Sequence, residues 1–282
     1  MEPPARRDRR SAPRGGSGPA RPRSGSFENH GGPALGPRGA TATRRPRVWL
    51  FDLDNTLHDA SHAAFEQLHE AMTDYMVEHL ALERDAAWQL RQHYWKHYGA
   101  TLLGLVRHHG VKTAHFLAET HRLPGLEQRL RTSAHDRAAL KKLRGKKLIL
   151  TNAPRAYALR VLNTLRLADC FDGVISIEDM TMFGHHRPKP DARMFRHLAA
   201  RLKVPPSRCV LVEDTLDHQK GARRVGMQTA WMQRYLGGRF RGRPGAAPNA
   251  GFKPRKVGVH PCRRPPYVCA KIKSIQQLRG MQ

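Results

Sequence analysis

Two aspartates stand two positions apart at the end of an apolar run. Asp52 and Asp54 end the segment VWLFDLD, and alternate residues of a strand project from the same face. Two carboxylates this close repel each other unless a cation lies between or beside them. Carboxylate oxygens suit Mg²⁺, a hard ion that keeps several waters and shares its coordination shell with phosphate. The two carboxylates therefore suit a magnesium ion bound beside a phosphate group.

A second acidic pair follows another apolar run. Glu213 and Asp214 end the segment RCVLVED, and ligands of open α/β sheets bind at the carboxyl ends of the strands. One carboxylate pair alone is also compatible with a helix cap or a structural ion pair. Two pairs at the ends of separate apolar strands favour a metal site, so we expect the second pair to meet Asp52 and Asp54 across one sheet edge.

Two further segments carry groups that bind phosphate. Thr151 and Asn152 end LILTNA, where a hydroxyl and the backbone N–H groups of a following helix can bind phosphate oxygens. Lys189 lies between two prolines in HRPKPDARMF, and the prolines restrict the backbone that carries this cation. Neither feature is specific by itself. Their order along the chain, together with the two acidic pairs, predicts a phosphate pocket.

The segments that carry these residues alternate between strands and helices. Short apolar runs end in polar or acidic residues, and amphipathic helical patterns separate the later runs. Each crossover helix must bury its apolar face, so the alternation predicts a Rossmann-like α/β fold, a parallel sheet with helices on both faces. The apolar runs are VWLFDLD, KKLILTNA, FDGVISIED, RCVLVED and MQTAWM.

A long helical segment, residues 61–142, interrupts this alternation. We expect it to form an all-helical cap domain over the sheet edge where ligands bind, with the α/β core made of residues 48–60 and 143–236. Apolar residues recur there at the 3.6-residue spacing of a helix, as at Phe65, Leu68, Met72, Tyr75 and Met76.

The ordered motifs resemble those of the haloacid dehalogenase (HAD) superfamily. The first motif, DxDxT, appears as Asp52-Leu53-Asp54-Asn55-Thr56, and the later three appear in order as Thr151, Lys189 and the pair Glu213–Asp214. The resemblance implies that Asp52 is the nucleophile, which forms an aspartyl-phosphate. It also implies that Asp54 is the general acid and base, protonating the leaving oxygen and then activating water.

The resemblance also implies a cofactor and its ligands. Mg²⁺ would be held by Asp52, the backbone carbonyl of Asp54 and Asp214. Thr151 and Lys189 would bind the oxygens of the transferring phosphoryl group and stabilise its charge.

Position 54 separates two branches of the superfamily. Halide departure needs no proton, whereas the alkoxide released from a phosphate ester does, so Asp54 argues for phosphoryl transfer. One position departs from the pattern: many members carry an acid four residues after the motif IV aspartate, where this chain has His218, with Asp217 beside it. The outer metal-shell roles of Glu213, Asp217 and His218 therefore stay open.

Several segments look like the pyrimidine 5'-nucleotidase-like HAD phosphatases of bacteria and yeast. The resemblance implies a small phosphate ester as partner, a nucleoside monophosphate such as UMP or CMP. Asn55, Asn152 and cap residues 98–105 would then face the substrate, although helix packing is an alternative for the apolar cap residues. Phosphoglycolate, a sugar phosphate or a mutase reaction is the alternative chemistry. The segments are FDLDNTLHDA, YGATLLGL, LTNAPRAYALRVL, FDGVISIEDM, RPKPDARMF and VLVEDTLDHQKGARRVGMQTAWM.

The two ends of the chain hold most of the net charge of +27. Residues 1–47 carry 11 Arg and three acids and read as a disordered tail, and residues 237–282 carry 11 basic residues and no acid. We expect 237–266 to be a flexible linker and 267–282 to return to the core as a strand and helix. Tails without interleaved aromatics are weak signals of nucleic-acid binding. An inactive HAD scaffold whose tails bind nucleic acid is the alternative from another class.

Other patterns bear on compartment and metal type. The four cysteines form no CxxC pair, which indicates reduced thiols in a cytoplasmic protein. We find no secretory signal and no apolar window long enough to span a membrane. His93 and His97 lie four residues apart without the glutamate of an HExxH motif, so surface or packing roles are favoured over zinc. The oligomeric state is not predicted.

Overall fold

Six parallel strands form the centre of the fold. The computed structural model describes residues 47–131, 133–236 and 263–282. The spatial order is β3-β2-β1-β6-β7-β8, and a separate hairpin pairs β4 with β5. The strands are β1 (Val48–Phe51), β2 (Lys146–Leu150), β3 (Gly173–Ile175), β4 (Thr181–Met182), β5 (His185–His186), β6 (Cys209–Glu213), β7 (Gln228–Met232) and β8 (Ala270–Ile272).

Ten α-helices lie in the described part of the chain, seven of them between β1 and β2, and a 3-10 helix, Ile275–Met281, follows β8. The α-helices are α1 (Ala60–Ala63), α2 (Phe65–Leu80), α3 (Arg84–Tyr98), α4 (Thr101–His109), α5 (Thr113–Thr120), α6 (Leu126–Arg129), α7 (Ala134–Lys142), α8 (Arg155–Thr164), α9 (Ala192–Arg201) and α10 (Leu216–Arg224). None of these helices has the length and apolar character needed to cross a bilayer.

Strand β1 lies at the centre of the sheet, between β2 and β6. Both pairings are parallel, with Phe51 opposite Ile149 on one side and opposite Val212 on the other. Every residue of β1 is buried because apolar side chains cover both faces of the sheet. The predicted α/β fold with a parallel sheet is confirmed.

The sheet divides its core between two faces. Trp49, Phe51 and Ile149 belong to one apolar cluster, and Leu50 and Leu148 belong to the other, because neighbouring strand residues project in opposite directions. Residues of α6 and α7 belong to the first cluster, so these two helices pack with the sheet.

The helices from α2 to α5 have a third core of their own. Met76, Tyr94, Leu105 and Phe116 are buried together there, and Ile177 after β3 joins them. The domain boundaries given in the sequence analysis stay a prediction.

The last described segment completes the sheet. Strand β8 pairs in parallel with β7, and Ile272, Ile275 and Leu278 enter the first cluster. The tail predicted for residues 1–47 and most of the linker predicted for residues 237–266 lie outside the described residues.

Candidate active site

Asp52 stands directly after β1 at the carboxyl edge of the sheet. Its backbone N–H donates to the carbonyl of Val212 over 2.9 Å, which extends the pairing with β6 by one residue. The residue is only 6% exposed. A charged carboxylate at this depth requires compensation from nearby donors or cations.

Lys189 supplies that compensation. Its Nζ donates to Oδ1 of Asp52 over 2.7 Å and to Oε2 of Glu213 over 2.9 Å, and the side chain is 1% exposed. The side chain of Asn152 fixes the backbone at Lys189 from both sides: its Nδ2 donates to the carbonyl of Lys189 over 2.9 Å, and its Oδ1 accepts from the N–H over 3.0 Å. The structure thus brings together residues that are 137 positions apart in sequence.

The three charges perturb one another strongly. Burial and the neighbouring Glu213 raise the pKa of Asp52 to about 7, although Lys189 acts in the opposite direction. For Glu213, burial by itself raises the pKa, but Lys189 and His218 outweigh it and the pKa is lowered. Burial also opposes the charge of Lys189, and the two carboxylates more than offset it and raise its pKa. One buried cation is therefore shared by two carboxylates.

Glu213 is fully engaged by protein groups. Besides Lys189, its Oε2 lies 3.1 Å from Nδ1 of His218, and its Oε1 accepts from the backbone N–H of Thr215 over 3.1 Å. Its own carbonyl accepts from Nε2 of Gln219 over 2.8 Å. These contacts make Glu213 an anchor for Lys189 and give His218, the residue that departs from the family pattern, a place beside it.

An all-oxygen cluster at this edge fits the predicted magnesium ion. Carboxylate oxygens of Asp52, Glu213 and Asp214 lie within 4.8 Å of one another, and all three residues are buried. Hard oxygen donors and few protein carboxylates are what Mg²⁺ requires. Lys189 contacts both Asp52 and Glu213, and the ligand set that the family resemblance implies, Asp52, the backbone carbonyl of Asp54 and Asp214, stays a prediction.

Asp54 lies beside this cluster and has different partners. Its Oδ1 accepts from the hydroxyl of Tyr157 over 2.7 Å and lies 3.0 Å from Nε2 of His58. Burial and the charge of Asp54 raise the pKa of Tyr157 well above its usual value, so the phenol keeps its proton and donates. The side chain of Asp54 is 19% exposed, which makes it the more accessible of the two motif aspartates.

Thr151 ends β2 on the other side of β1. Its N–H continues the pairing with β3 by donating to the carbonyl of Ile175 over 3.0 Å, and its Oγ1 accepts from the N–H of Ala153 over 3.0 Å. A hydroxyl that accepts one bond still has its own hydrogen to donate. Thr151 is therefore equipped to donate to an anionic oxygen at this edge.

The two asparagines expected to face the substrate have other partners. Asn55 is fully buried with φ 58°, and its side-chain Nδ2 donates to Oγ of Ser61 while its Oδ1 accepts from the Ser61 N–H. Asn152 uses both ends of its amide on the backbone of Lys189. Both amides thus have local partners that shape the loops around them.

One part of the cap segment 98–105 packs inside the cap, and another part lies near the α/β core. Leu102 and Leu105 are buried in the cap cluster, as the helix-packing alternative predicted for apolar residues. The hydroxyl of Tyr98 contacts Nε2 of His108 over 2.5 Å. At Gly99, where φ is 82°, a Cβ would lie 3.6 Å from the ring of Pro190, so the end of α3 touches the loop that carries the site lysine.

The histidine pair of α3 is exposed. The rings of His93 and His97 stack with their centroids 5.8 Å apart. In the described ranges, the three acids at the sheet edge form the one group of His, Cys, Asp or Glu side chains able to hold a metal.

Sequence reasoning missed Tyr157, His58 and His121. The ring of His121, at the end of α5, packs against the ring of Tyr157 with centroids 5.6 Å apart. Burial lowers the pKa of His121 to about 4. Tyr157 falls on the apolar face of α8 among core residues, and nothing in its local sequence indicates that its hydroxyl reaches Asp54. His58 follows the DxDxT motif by two residues, and that proximity was the available signal.

Comparisons with known proteins agree with this fold. The family model described as haloacid dehalogenase-like hydrolase matches residues 46–226. The protein belongs to this family of hydrolases. Phosphate metabolism protein 8 of Saccharomyces cerevisiae is 27% identical over 167 residues, which are 53% of this chain and 49% of the yeast protein. The chain thus matches about half the length of this curated relative.

Solved structures are similar in fold. An HAD phosphatase from Thermococcus onnurineus has 21% sequence identity and a TM-score of 0.51, with 83% of this chain and 97% of that chain covered. CbbY from Rhodobacter sphaeroides, solved in complex with phosphate, has 18% identity and a TM-score of 0.50, with 83% and 96% covered. At these identities the likeness concerns the fold alone.

Proposed function

We propose that this hydrolase is a magnesium-dependent phosphatase that cleaves phosphate monoesters through an aspartyl-phosphate on Asp52. The observation that carries the proposal is the buried carboxylate of Asp52 at the sheet edge, 2.7 Å from Nζ of Lys189. The accessible carboxyl of Asp54 lies two residues further along the chain. The name of the yeast relative, which refers to phosphate metabolism, supports the same assignment.

The first half of the reaction transfers the phosphoryl group to the protein. A carboxylate oxygen of Asp52 attacks phosphorus while the bond from phosphorus to the leaving oxygen breaks, and Asp54 gives its proton to that oxygen. Lys189 and the hydroxyl of Thr151 stabilise the charge on the phosphoryl oxygens. Magnesium held by Asp52 and Asp214 would supply further charge neutralisation at those oxygens.

The second half releases phosphate and restores the site. A water molecule attacks phosphorus of the aspartyl-phosphate and transfers its proton to Asp54, which was left ionised by the first step. The bond between phosphorus and the Asp52 oxygen breaks, and its electron pair returns to the carboxylate. Asp54 thereby regains the proton it needs for the next turnover.

The proposed substrate is a pyrimidine nucleoside 5'-monophosphate, UMP or CMP. This assignment is supported by the segments around the motifs that resemble pyrimidine 5'-nucleotidases. The cap also supports the choice, since a Cβ added at Gly99 after α3 would lie 3.6 Å from the ring of Pro190, the residue that follows Lys189. Phosphoglycolate and sugar phosphates are the competing small esters.

A panel of esters tests the reaction and the substrate together. Phosphate release is measured from UMP, CMP, purine nucleotides, phosphoglycolate and sugar phosphates, with Mg²⁺ and with a chelator. We expect magnesium-dependent release that is fastest from UMP or CMP. Faster release from phosphoglycolate would reject the nucleotidase assignment and keep the phosphatase. Absence of release from every ester would reject the phosphatase.

A further inference from the structure

The two carboxylate oxygens of Asp54 have different surroundings. Oδ1 accepts from the hydroxyl of Tyr157 over 2.7 Å and lies 3.0 Å from Nε2 of His58. Oδ2 has no hydrogen-bond partner among residues 47–131, 133–236 and 263–282, and the side chain is 19% exposed. One oxygen is therefore held by two donors, and the other has no hydrogen-bond partner in the described part of the protein.

Both donors are fixed by their own surroundings. His58 is fully buried in the turn after β1, and its Nδ1 has no hydrogen-bond partner in the described part of the protein, so its available bond is the one from Nε2. Tyr157 is 4% exposed on α8 and belongs to the apolar cluster of the sheet. The ring of His121 packs against it edge-to-face. Because both donors are buried and packed, together they fix the position of Oδ1 of Asp54.

We propose that Tyr157 is a positioning residue for proton transfer: with His58 it holds Asp54 by Oδ1, so that Oδ2 alone carries the proton to and from the substrate. This inference rests on the proposed phosphatase reaction. Rotation of the carboxylate would otherwise exchange its two oxygens, and a proton donor must be held within hydrogen-bond reach of the oxygen it protonates.

The arrangement suits both protonation states of Asp54. When Oδ2 carries the proton, Oδ1 is the carbonyl oxygen of a carboxylic acid and accepts hydrogen bonds. When Oδ2 has given that proton to the leaving oxygen, Oδ1 is part of a carboxylate and still accepts. The proton returns to Oδ2 from the attacking water, so the two hydrogen bonds to Oδ1 persist through the whole cycle.

Tyr157→Phe tests the proposal because it removes the hydroxyl and keeps the buried ring. The value of kcat/KM reports the steps through transfer to Asp52, the half in which the leaving group departs. We expect it to fall by about 10-fold or more for the fastest alkyl ester of the panel, through kcat with KM little changed. For 2,4-dinitrophenyl phosphate, whose phenolate leaves without a proton, kcat/KM should stay within about twofold of the unmodified protein.

A matched control variant removes a tyrosine hydroxyl in the cap. Tyr75 is also buried, and its hydroxyl contacts Nδ1 of His115 in the cap over 3.0 Å, so Tyr75→Phe should leave both kcat/KM values unchanged. Thermal unfolding of each variant checks the fold. An equal loss on both esters in Tyr157→Phe, or no loss on either, would overturn the positioning role. An unmodified protein that hydrolyses neither ester would instead reject the proposed function, and this inference with it.

Discussion

Lys189 illustrates how much a single residue's role depends on its surroundings. A lysine between two prolines carries little information, yet here its ammonium is buried between the carboxylates of Asp52 and Glu213. Burying a charge is costly unless it is paired, and one cation cannot fully neutralise two acids. Burial and the charge of Glu213 outweigh Lys189 at Asp52 and raise its pKa to about 7. A divalent cation bound beside Asp52 would favour its ionised form.

The proposed nucleophile, Asp52, gives the sharpest prediction at the residue scale. Asp52→Asn should lower phosphate release at least about 1,000-fold, because the amide cannot form an aspartyl-phosphate. The free energy of unfolding should stay at or above that of the unmodified protein, since the substitution removes a buried charge that Glu213 repels. Phosphate release and chemical unfolding measure the two effects. Asp85→Asn, at an exposed position of α3, is the control, and activity near that of the control would exclude the mechanism.

At the scale of elements, the site is built where helix termini and strand ends meet. Helix α10 begins just after Glu213 and Asp214, and it passes so close to the loop of Lys189 that only glycine fits at position 221. A Cβ there would lie 2.3 Å from the carbonyl oxygen of Pro190. Gly221 thus allows α10 to lie close to Pro190, the residue that follows Lys189.

Gly221→Ala should therefore disturb catalysis through backbone displacement. The added methyl group must push the loop at Pro190 outward, which moves Lys189 away from Asp52. We expect a loss of at least about 10-fold in phosphate release, since small displacements of catalytic groups have large effects on rate, and a destabilisation of about 1–3 kcal/mol. At Gly280 a Cβ would meet no atom within 4 Å, so Gly280→Ala is the control. Equal activity of the two variants would contradict the role of this close approach.

The end of α5 gives a prediction about acid stability. Burial holds the pKa of His121 at about 4, below its ordinary 6.5, so the folded protein binds this proton less tightly than the unfolded chain. The resulting stabilisation is present above about pH 6.5 and is lost as pH falls through about 4. His121→Phe should lose less unfolding free energy than the unmodified protein between pH 6.5 and 4.5. His93→Phe, at an exposed position of α3, is the control. If the unfolding free energies of His121→Phe and of the unmodified protein changed in parallel with pH, the effect would be refuted.

At the scale of the whole molecule, an ion pair connects helix α7 to the segments that follow strands β7 and β8. Asp136 of α7 is 1% exposed and pairs with both terminal nitrogens of Arg234, which follows β7. Nε of Arg234 donates over 3.0 Å to the carbonyl of Lys273 after β8. The Arg234 side chain therefore joins α7 to the segments after β7 and β8. Asp136 and Arg234 are 98 residues apart in the chain.

Arg234→Met should destabilise the protein by about 3–5 kcal/mol, because it leaves Asp136 buried without its cation. The double variant Asp136→Leu with Arg234→Met should recover most of that loss, since neither charge is then unpaired. Chemical unfolding of both variants and the unmodified protein makes the comparison. A double variant no more stable than Arg234→Met alone would show that packing, and not the ion pair, provides the stability.

Much of this protein was determined by local patterns in its sequence. Apolar runs that end in acids specified a parallel α/β sheet, because strands covered on both faces need continuous apolar residues. The spacing of Asp52 and Asp54 and the pair Glu213–Asp214 indicated an oxygen-lined site at one edge. Helical periodicity after the first strand indicated the helices between β1 and β2.

Tertiary structure alone decided which groups contact one another. Asn152 holds the backbone of Lys189, Glu213 anchors its ammonium, and Tyr157 with His58 occupies one oxygen of Asp54. The contact between Tyr157 and Asp54 joins residues 103 positions apart in the chain, and no local pattern encodes it. These contacts form because the site is buried. Each buried polar group at the carboxyl edge of the sheet needs a hydrogen-bond partner, and the packing of the strands and helices decides which partner lies within reach.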